Sequence, residues 1–360
     1  DLHSFPTRRS SDLHIGRINT DFIDNSAGVN TSDVEVNLKI LLNPLVQARR
    51  MSLGERNRLL RSMTKDVAAL VLRNNYLQSQ AISTLELTSG ARLSEYQHVI
   101  RTLERTGELS RTIEFLPNDD EIADRRKAKL GLTRPELAIV LAYSKIWLRK
   151  HLVHSDVPED PYLSAELQRY FPTAVRERFA REIRQHRLRR EIIVTATTNS
   201  LVNRMGPVFV LRAQEDTGAD PAQIARAYTI ARESFAMREL WAQIEALDNR
   251  MPAEVQYRMM YRTSRLLRHA SYWLLVRRRR ELNVDKAVAE FRRGVQELES
   301  EVGTVVSGAD RARLEATRRE LVDAGVPAKL AERIAGLDAL ESAFDLVELA
   351  ALYGDRKSVV

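Results

Sequence analysis

The 360-residue sequence contains no cysteine. That argues against a disulfide-stapled secreted fold and excludes thiolate metal sites and a cysteine nucleophile. Aromatic residues are scarce at 6%, against 29% charged, the balance of amphipathic helices with exposed charged faces. No apolar run approaches the roughly 18 residues that a membrane span requires, so no membrane partner is expected. Fixed-period repeats and low-complexity tracts are absent too. What is there is a basic chain, formal net charge +7, long enough for two or three domains and a sizeable core.

Both ends are unpatterned. The head, "DLHSFPTRRSSDL", and the tail, "DRKSVV", share an origin when translated back to DNA. The tail can be written so that its reverse complement is CACGACGCTCTTCCGATC, which encodes the Arg-Arg-Ser-Ser-Asp of the head when read one base out of frame. A single sequencing-adapter-like DNA accounts for both, so residues 1–13 and 355–360 are set aside as artefacts. The native segment is then expected to span residues 14–354, cut from a longer reading frame. The tail supplies +1 of the formal charge, from Arg356 and Lys357 against Asp355.

Within that segment the pattern is a succession of capped helices. Ser52-x-x-Glu55 and Thr133-x-x-Glu136 are capping boxes, and Asp220 followed by Pro221 is an N-cap with proline at N1. Apolar residues recur at helical spacing: Leu38, Leu41, Leu42 and Leu45, then Leu60, Met63, Val67, Leu70 and Val71, then Leu137, Val140, Leu141, Trp147 and Leu148. A long helix is predicted over 173–203, carrying Val175, Phe179 and Ile183 and stopped by Gly206 and Pro207. Further helices are predicted near 222–246, 253–280 and 285–302, with two shorter ones before Gly354. Breaks fall at 114–121, 154–162, 215–222 and 303–310. The fold class is mainly α.

One stretch departs from this pattern. "DFIDNSAGVNTSDVEVN" (21–37) opens with Phe22 and Ile23, which read as a strand end, passes through small residues and enters a helix at Ser32. A strand end, a small-residue turn and a helix start bring backbone close to a ligand at the edge of a sheet. Gly28 permits close approach, and Asn25 offers a donor and an acceptor. Each also has a plain reading: Asn25 as a turn residue, Ser32 as the N-cap of the box Ser32-x-x-Glu35.

"INTDFIDNSAGVNTSDVEVNLKILLN" (18–43) resembles the end of the catalytic domain of large NAD-specific glutamate dehydrogenases. Smaller glutamate dehydrogenases carry the related pattern Asn-Ala-Gly-Gly-Val-Thr-x-Ser-Tyr-Phe-Glu, onto which Asn25, Gly28, Val29, Ser32 and Glu35 fall without a gap. "LVLRNNYLQSQAIS" (70–83), "LTRPELAIVLAYSK" (132–145) and "TTNSLVNRMGPVF" (197–209) are similar to the large enzyme's helical C-terminal region. The resemblance implies residues 14–32 as a remnant strand closing a Rossmann-type dinucleotide-binding domain, then helical regions over 33–206 and 207–354. It implies Asn25 and Gly28 on the NAD side, Asn25 by the nicotinamide end, and Ser32 on the side-chain carboxylate of glutamate. It also implies oxidative deamination of L-glutamate to 2-oxoglutarate and ammonium, a cytoplasmic location, a homo-oligomer when intact, and missing N-terminal and catalytic domains as partners.

Two departures follow. Asp33 and Val34 replace the aromatic pair of the small enzymes. The family's catalytic lysine and its glycine-rich fingerprint match nothing in this chain, so no catalytic residue is assigned and the chain alone is expected to be inactive. With its partner strands missing, the segment 14–30 is expected to be poorly anchored. A different class stays open: a helical interaction or scaffold module meeting an acidic partner.

Other constellations carry less. His151, His154 and Asp156 have a spacing that could hold a metal, but a helix C-terminus favouring cationic histidine explains them, and no metal is expected. His186, between arginines, reads as a solvated surface residue. The arginine-rich run 176–191 and Arg277 to Arg280 could meet phosphates. Glu177, Glu182 and Glu191 are interleaved and no aromatic platform accompanies them, so no nucleic-acid partner is expected. Thr195, Asn199 and Asn203 line one helix face, either docking on the catalytic domain or bonding another helix.

Overall fold

The computed structural model describes residues 18–357. The first adapter-like stretch and residues 358–360 of the second lie outside them. Contacts divide the chain into two compact units, the first ending at Val208 and the second beginning at Phe209.

Among the described residues the first unit opens with a one-turn helix α1 (Asp21–Asp24), followed by α2 (Ser26–Gln47), α3 (Leu53–Ser62) and α4 (Thr64–Glu86). Then come α5 (Leu93–Arg105), α6 (Arg111–Glu114), α7 (Asp119–Lys127) and α8 (Arg134–Val153). Three short pieces, α9 (Ala165–Tyr170), α10 (Thr173–Arg178) and α11 (Ala180–Arg184), lead to α12 (Arg189–Met205). The centre is α8, which buries Leu137, Val140, Leu141, Trp147 and Leu148. Burying each such side chain stabilises the fold by about 1.5–3 kcal/mol. Its neighbours are α4, α5 and α12.

The second unit contains α13 (Phe209–Thr217), α14 (Pro221–Ser234), α15 (Met237–Glu245) and α16 (Ala253–Arg277). It ends with α17 (Val284–Val305), α18 (Gly308–Asp323), α19 (Ala328–Gly336) and α20 (Ala343–Lys357). Here α14 is central, packed on α16 and α17. Its alanines, Ala222, Ala225, Ala227 and Ala231, are buried and let the flanking helices approach closely.

The expected caps form. Ser52 Oγ accepts from the Glu55 amide at 3.1 Å while the Glu55 carboxylate accepts from the Ser52 amide at 2.7 Å. Asp220 and Gln223 make the same reciprocal pair. Gly206 ends α12 at φ 80°, where a Cβ would lie 2.9 Å from Leu85 Cδ2.

Several expectations need correction. Among the described residues there is no strand: Phe22 and Ile23 belong to α1, and the helix that was to begin at Ser32 begins at Ser26. With no strand beside it, an extended segment would leave its amides and carbonyls unpaired, whereas a helical turn pairs them locally. Nor is the described part of the segment 14–30, from residue 18 on, loosely held. Asn75 Nδ2 of α4 donates to the Ile23 carbonyl at 2.7 Å and to Ser26 Oγ at 2.9 Å, and Asn19, Thr20, Ile23 and Ser26 are buried.

The helices are also more broken than their spacing suggested. The predicted 173–203 helix is three helices, interrupted at Phe179 and at 185–188. The second apolar run divides at Met63, and 222–246 divides at Phe235 and Ala236, the latter at φ 46°. Three helices rather than two follow residue 305.

His186 explains one break. It is buried, not solvated: its Nδ1 accepts from the Leu188 amide at 3.1 Å, and its Nε2 lies 3.1 Å from the Asn37 carbonyl. This pairing requires the neutral Nε2–H tautomer, and burial pushes the imidazole pKa down. Since the folded form resists the proton more than the unfolded chain does, this stability is present above pH 6.5 and is lost as pH falls below it. His186→Ala should cost about 1–3 kcal/mol and remove that acid dependence, measured by urea unfolding at pH 5.5 and 7.5. An unchanged acid limb would refute the assignment.

Candidate functional site

Asn25 is the single residue between α1 and α2, at φ −109° and ψ 23°, its amide donating to the Asp21 carbonyl at 2.7 Å. Gly28 and Ser32 lie within α2, one turn apart. Ser32 is therefore a helix-interior residue and not a cap, and Gly28 has no left-handed conformation to serve. Glu35 pairs with Lys39 one turn on, at 2.6 Å, instead of closing a capping box.

These residues nonetheless share a surface. Phe22 on α1, Asn25 at the junction and Val29, Ser32 and Val36 on α2 follow one another at spacings of three and four, the last three on one face of α2. That face is open: Phe22 is 46% exposed, Val29 68% and Val36 48%, and Asn25, Gly28 and Ser32 are exposed beside them. The opposite face, with Ile23, Ser26, Val34 and Leu38, is buried.

Chemically the face offers apolar contact, an amide and a hydroxyl. It holds no candidate base or nucleophile; the nearby Asp24 carboxylate is occupied by the Asn19 amide and side chain at 3.1 and 2.8 Å. It can form one wall of a pocket but cannot move a hydride or a proton on its own.

A Cβ at Gly28 would meet nothing nearer than Asn25 Oδ1 at 3.9 Å. Gly28→Ala should therefore stabilise the isolated chain by about 0.5–1 kcal/mol through helix propensity, read from its urea midpoint. Destabilisation would show that the glycine is needed by the fold itself.

Residues 129–359 match the family "Glutamate dehydrogenase, C-terminal". The chain belongs to this glutamate dehydrogenase family. Residues 6–85, which include the whole exposed face, match "Bacterial NAD-glutamate dehydrogenase, catalytic domain". Over 334 residues the chain is 43% identical to the NAD-specific glutamate dehydrogenase of Halomonas elongata, covering 93% of this chain and 21% of that protein. It is 44% identical over 348 residues to the enzyme of the same name from Pseudomonas aeruginosa, covering 97% of this chain and 22% of that one. The Mycobacterium tuberculosis NAD-specific glutamate dehydrogenase is 39% identical over 323 residues, 90% of this chain and 20% of that protein. The chain thus spans about a fifth of the length of the curated relatives it matches.

The other residues singled out by sequence are dispersed through the chain. His151 sits against Trp147, its Nδ1 2.8 Å from the Trp147 carbonyl. Of the four consecutive arginines, Arg278 pairs with Glu290 and Glu348, and Arg279 donates to the Thr217 carbonyl at 2.6 Å. In the other basic run, Arg189 and Arg190 both reach Glu159, and Glu182 pairs with Arg50. Among the described residues no helix is long and apolar enough to cross a membrane.

Two features escaped the sequence reading. Lys145 of α8 is half-buried beside Gln78 of α4, its Nζ 3.1 Å from Gln78 Oε1, and dehydration pulls its amine down to a pKa of about 7. In the second unit an open cavity of about 370 Å³ lies among Glu299, Val302, Leu314, Lys329 and Glu332, with Arg333 paired to Glu299 beside it. No spacing rule finds either, since each is assembled from separate helices.

Proposed function

We propose that this chain is a segment of an NAD-dependent glutamate dehydrogenase, the oxidative deamination of L-glutamate to 2-oxoglutarate and ammonium. It supplies one wall of the active site and the helical body behind it. The observation that carries this reading is the coincidence of the open Phe22–Asn25–Val29–Ser32–Val36 face with the stretch that matches the bacterial catalytic domain. On this reading residues 14–32 belong to the end of a dinucleotide-binding domain, their described part from Asp21 on being helix apart from Asn25, with helical regions over 33–206 and 207–354. The intact enzyme is a cytoplasmic homo-oligomer, on the family resemblance.

The open Asn25 amide suits a carboxamide or ribose hydroxyl, and the bare Gly28 surface suits close approach of the cofactor. NAD, when bound, supplies the hydride acceptor for glutamate Cα. The Ser32 hydroxyl donates to the substrate's side-chain carboxylate and orients it, while Phe22, Val29 and Val36 exclude water from the wall. The lysine and the glycine-rich loop that complete the chemistry are contributed from outside this chain, so the chain by itself forms no NADH from glutamate.

The test is a chimera in which this chain replaces the corresponding segment of the Pseudomonas aeruginosa relative. Glutamate-dependent NAD reduction should survive the exchange. Ser32→Ala in the chimera should then raise KM for glutamate about tenfold to a hundredfold, the worth of one hydrogen bond to a charged group. Full activity of that variant, or NADH formation by the isolated chain, would defeat the proposal. A scaffold module would leave no glutamate dependence on Ser32.

A further inference from the structure

Where α4, α8 and α12 meet, two cations stand without an anion. Lys145 Nζ donates to Gln78 Oε1 at 3.1 Å, and one turn further along α8 the Arg149 Nε donates to Thr195 Oγ1 of α12 at 3.4 Å. Both partners are neutral. The helices α8 and α12 run antiparallel here, since Arg190 at the start of α12 reaches the carbonyls of Val153 and Ser155 at the end of α8, at 2.9 and 3.1 Å. From the Arg149–Thr195 contact, one turn back along α8 and one turn forward along α12 brings Asn199 level with Lys145. The polar stripe of α12 therefore runs along the cationic side of α8.

Three nearby carboxylates are engaged elsewhere, while Glu191, one turn before Thr195 on α12, makes no ion pair with either cation. Glu108 pairs with Lys150, Glu114 accepts from Tyr143, and Glu86 pairs with Arg134. No ion pair joins Lys145 or Arg149 to any described carboxylate, and dehydration is the whole cause of the lowered Lys145 amine. Two like charges one turn apart on a helix are unfavourable alone, and more so when one is dehydrated. The arrangement is reachable from solvent, because Arg149 is exposed and Gln78, Lys145, Thr195 and Asn199 are each partly so.

We propose that this seam binds a compact oxyanion, a carboxylate or a phosphate group, between Lys145 and Arg149, with Gln78, Thr195 and Asn199 as neutral hydrogen-bonding groups. The guanidinium offers two parallel donors, the ammonium a point charge, and the amides and hydroxyl fix the remaining oxygens. Partial dehydration strengthens each contact over its value in water. The site follows from the chain's own geometry and does not depend on the dehydrogenase reading.

The experiment uses the whole 360-residue chain with its lysines reductively methylated with a carbon-13 label, the Lys145 resonance being identified by its loss in Lys145→Met. Inorganic phosphate and acetate are each titrated at ionic strength held constant with sodium chloride. A saturable shift of the Lys145 signal with either anion, together with a rise in melting temperature that Lys145→Met and Arg149→Gln each abolish, is the expected result. Response to phosphate alone names a phosphate-bearing ligand, and response to acetate alone a carboxylate. Ser32→Ala should leave the response intact, so failure here is distinguishable from failure at the proposed pocket wall. A response no larger than that of chloride, or one that persists in both Lys145→Met and Arg149→Gln, overturns the site. Arg149 is exposed, so its variant keeps the test open if Lys145→Met fails to fold.

Discussion

Gly131→Ala should cost the first unit about 3 kcal/mol or more, a larger loss than one methyl group ordinarily causes. The residue sits where the chain leading into α8 crosses the turn after α4. A Cβ there would fall on top of Ser89 Oγ, and 2.6 Å from the Gly90 backbone nitrogen. Ser89 cannot step aside cheaply. It is buried, and its hydroxyl accepts from the Leu132 amide at 2.7 Å, so moving it exposes a buried donor as well as straining the backbone. Gly90 is equally confined, since its own Cβ would meet the Lys129 carbonyl at 3.1 Å. The crossing fixes where α8 starts, at Arg134 just after its cap Thr133, whose amide donates to Glu136 at 2.7 Å. Amide exchange of α8, and the urea midpoint of the chain, should both fall sharply. A loss below about 1 kcal/mol would mean that the two backbones can slide apart without cost.

Gly28→Ala, by contrast, is expected to stabilise, although both glycines lie in segments that resemble the same family. The difference is neighbours: Gly131 meets backbone at contact distance, whereas Gly28 faces open space. A glycine that the fold does not need, on an open face beside Asn25 and Ser32, is better explained by something that lies against that face than by the fold.

The same distinction separates what was legible in the sequence from what was not. Helices with local start signals, such as Ser52 with Glu55 and Thr133 with Glu136, could be read because the cap and its partner lie three residues apart. Phe22 and Ile23 could not: two adjacent apolar residues before a small-residue turn carry no period, and fit a strand end as well as a helical turn. The break at 185–188 and the burial of His186 depend on the Asn37 carbonyl, 149 positions away. Long helices were overextended for the same reason, since apolar spacing continues across Met63 and Phe235 while the backbone turns there. Asn25, Gly28 and Ser32 were found through a motif, and the structure adds that they share an exposed face. Lys145 was passed over because its setting is made by residues 78 and 199, which no linear pattern ties to it.

That setting gives Lys145 a signature in stability against pH. Its amine has an ordinary pKa of 10.5, and dehydration lowers it to about 7 in the fold. Between those values the unfolded chain holds a proton that the folded chain has released, so stability rises with pH across the window. Below pH 7 both states are protonated and the slope vanishes. A fully dehydrated amine would contribute up to about 1.4 kcal/mol per pH unit. Lys145 is partly open to solvent, and discounting for that leaves about 1–3 kcal/mol between pH 7 and 10. Lys145→Met removes the term: the variant should be the more stable protein at pH 7 and converge with the parent near pH 10, measured by urea unfolding in chloride buffers. An oxyanion in the seam opposes this by holding the ammonium form, so its presence should lift the parent most at pH 7 and leave the methionine variant unmoved. Parallel pH profiles for the two proteins would show that the amine stays hydrated, and would remove the electrostatic reason for an anion to settle there.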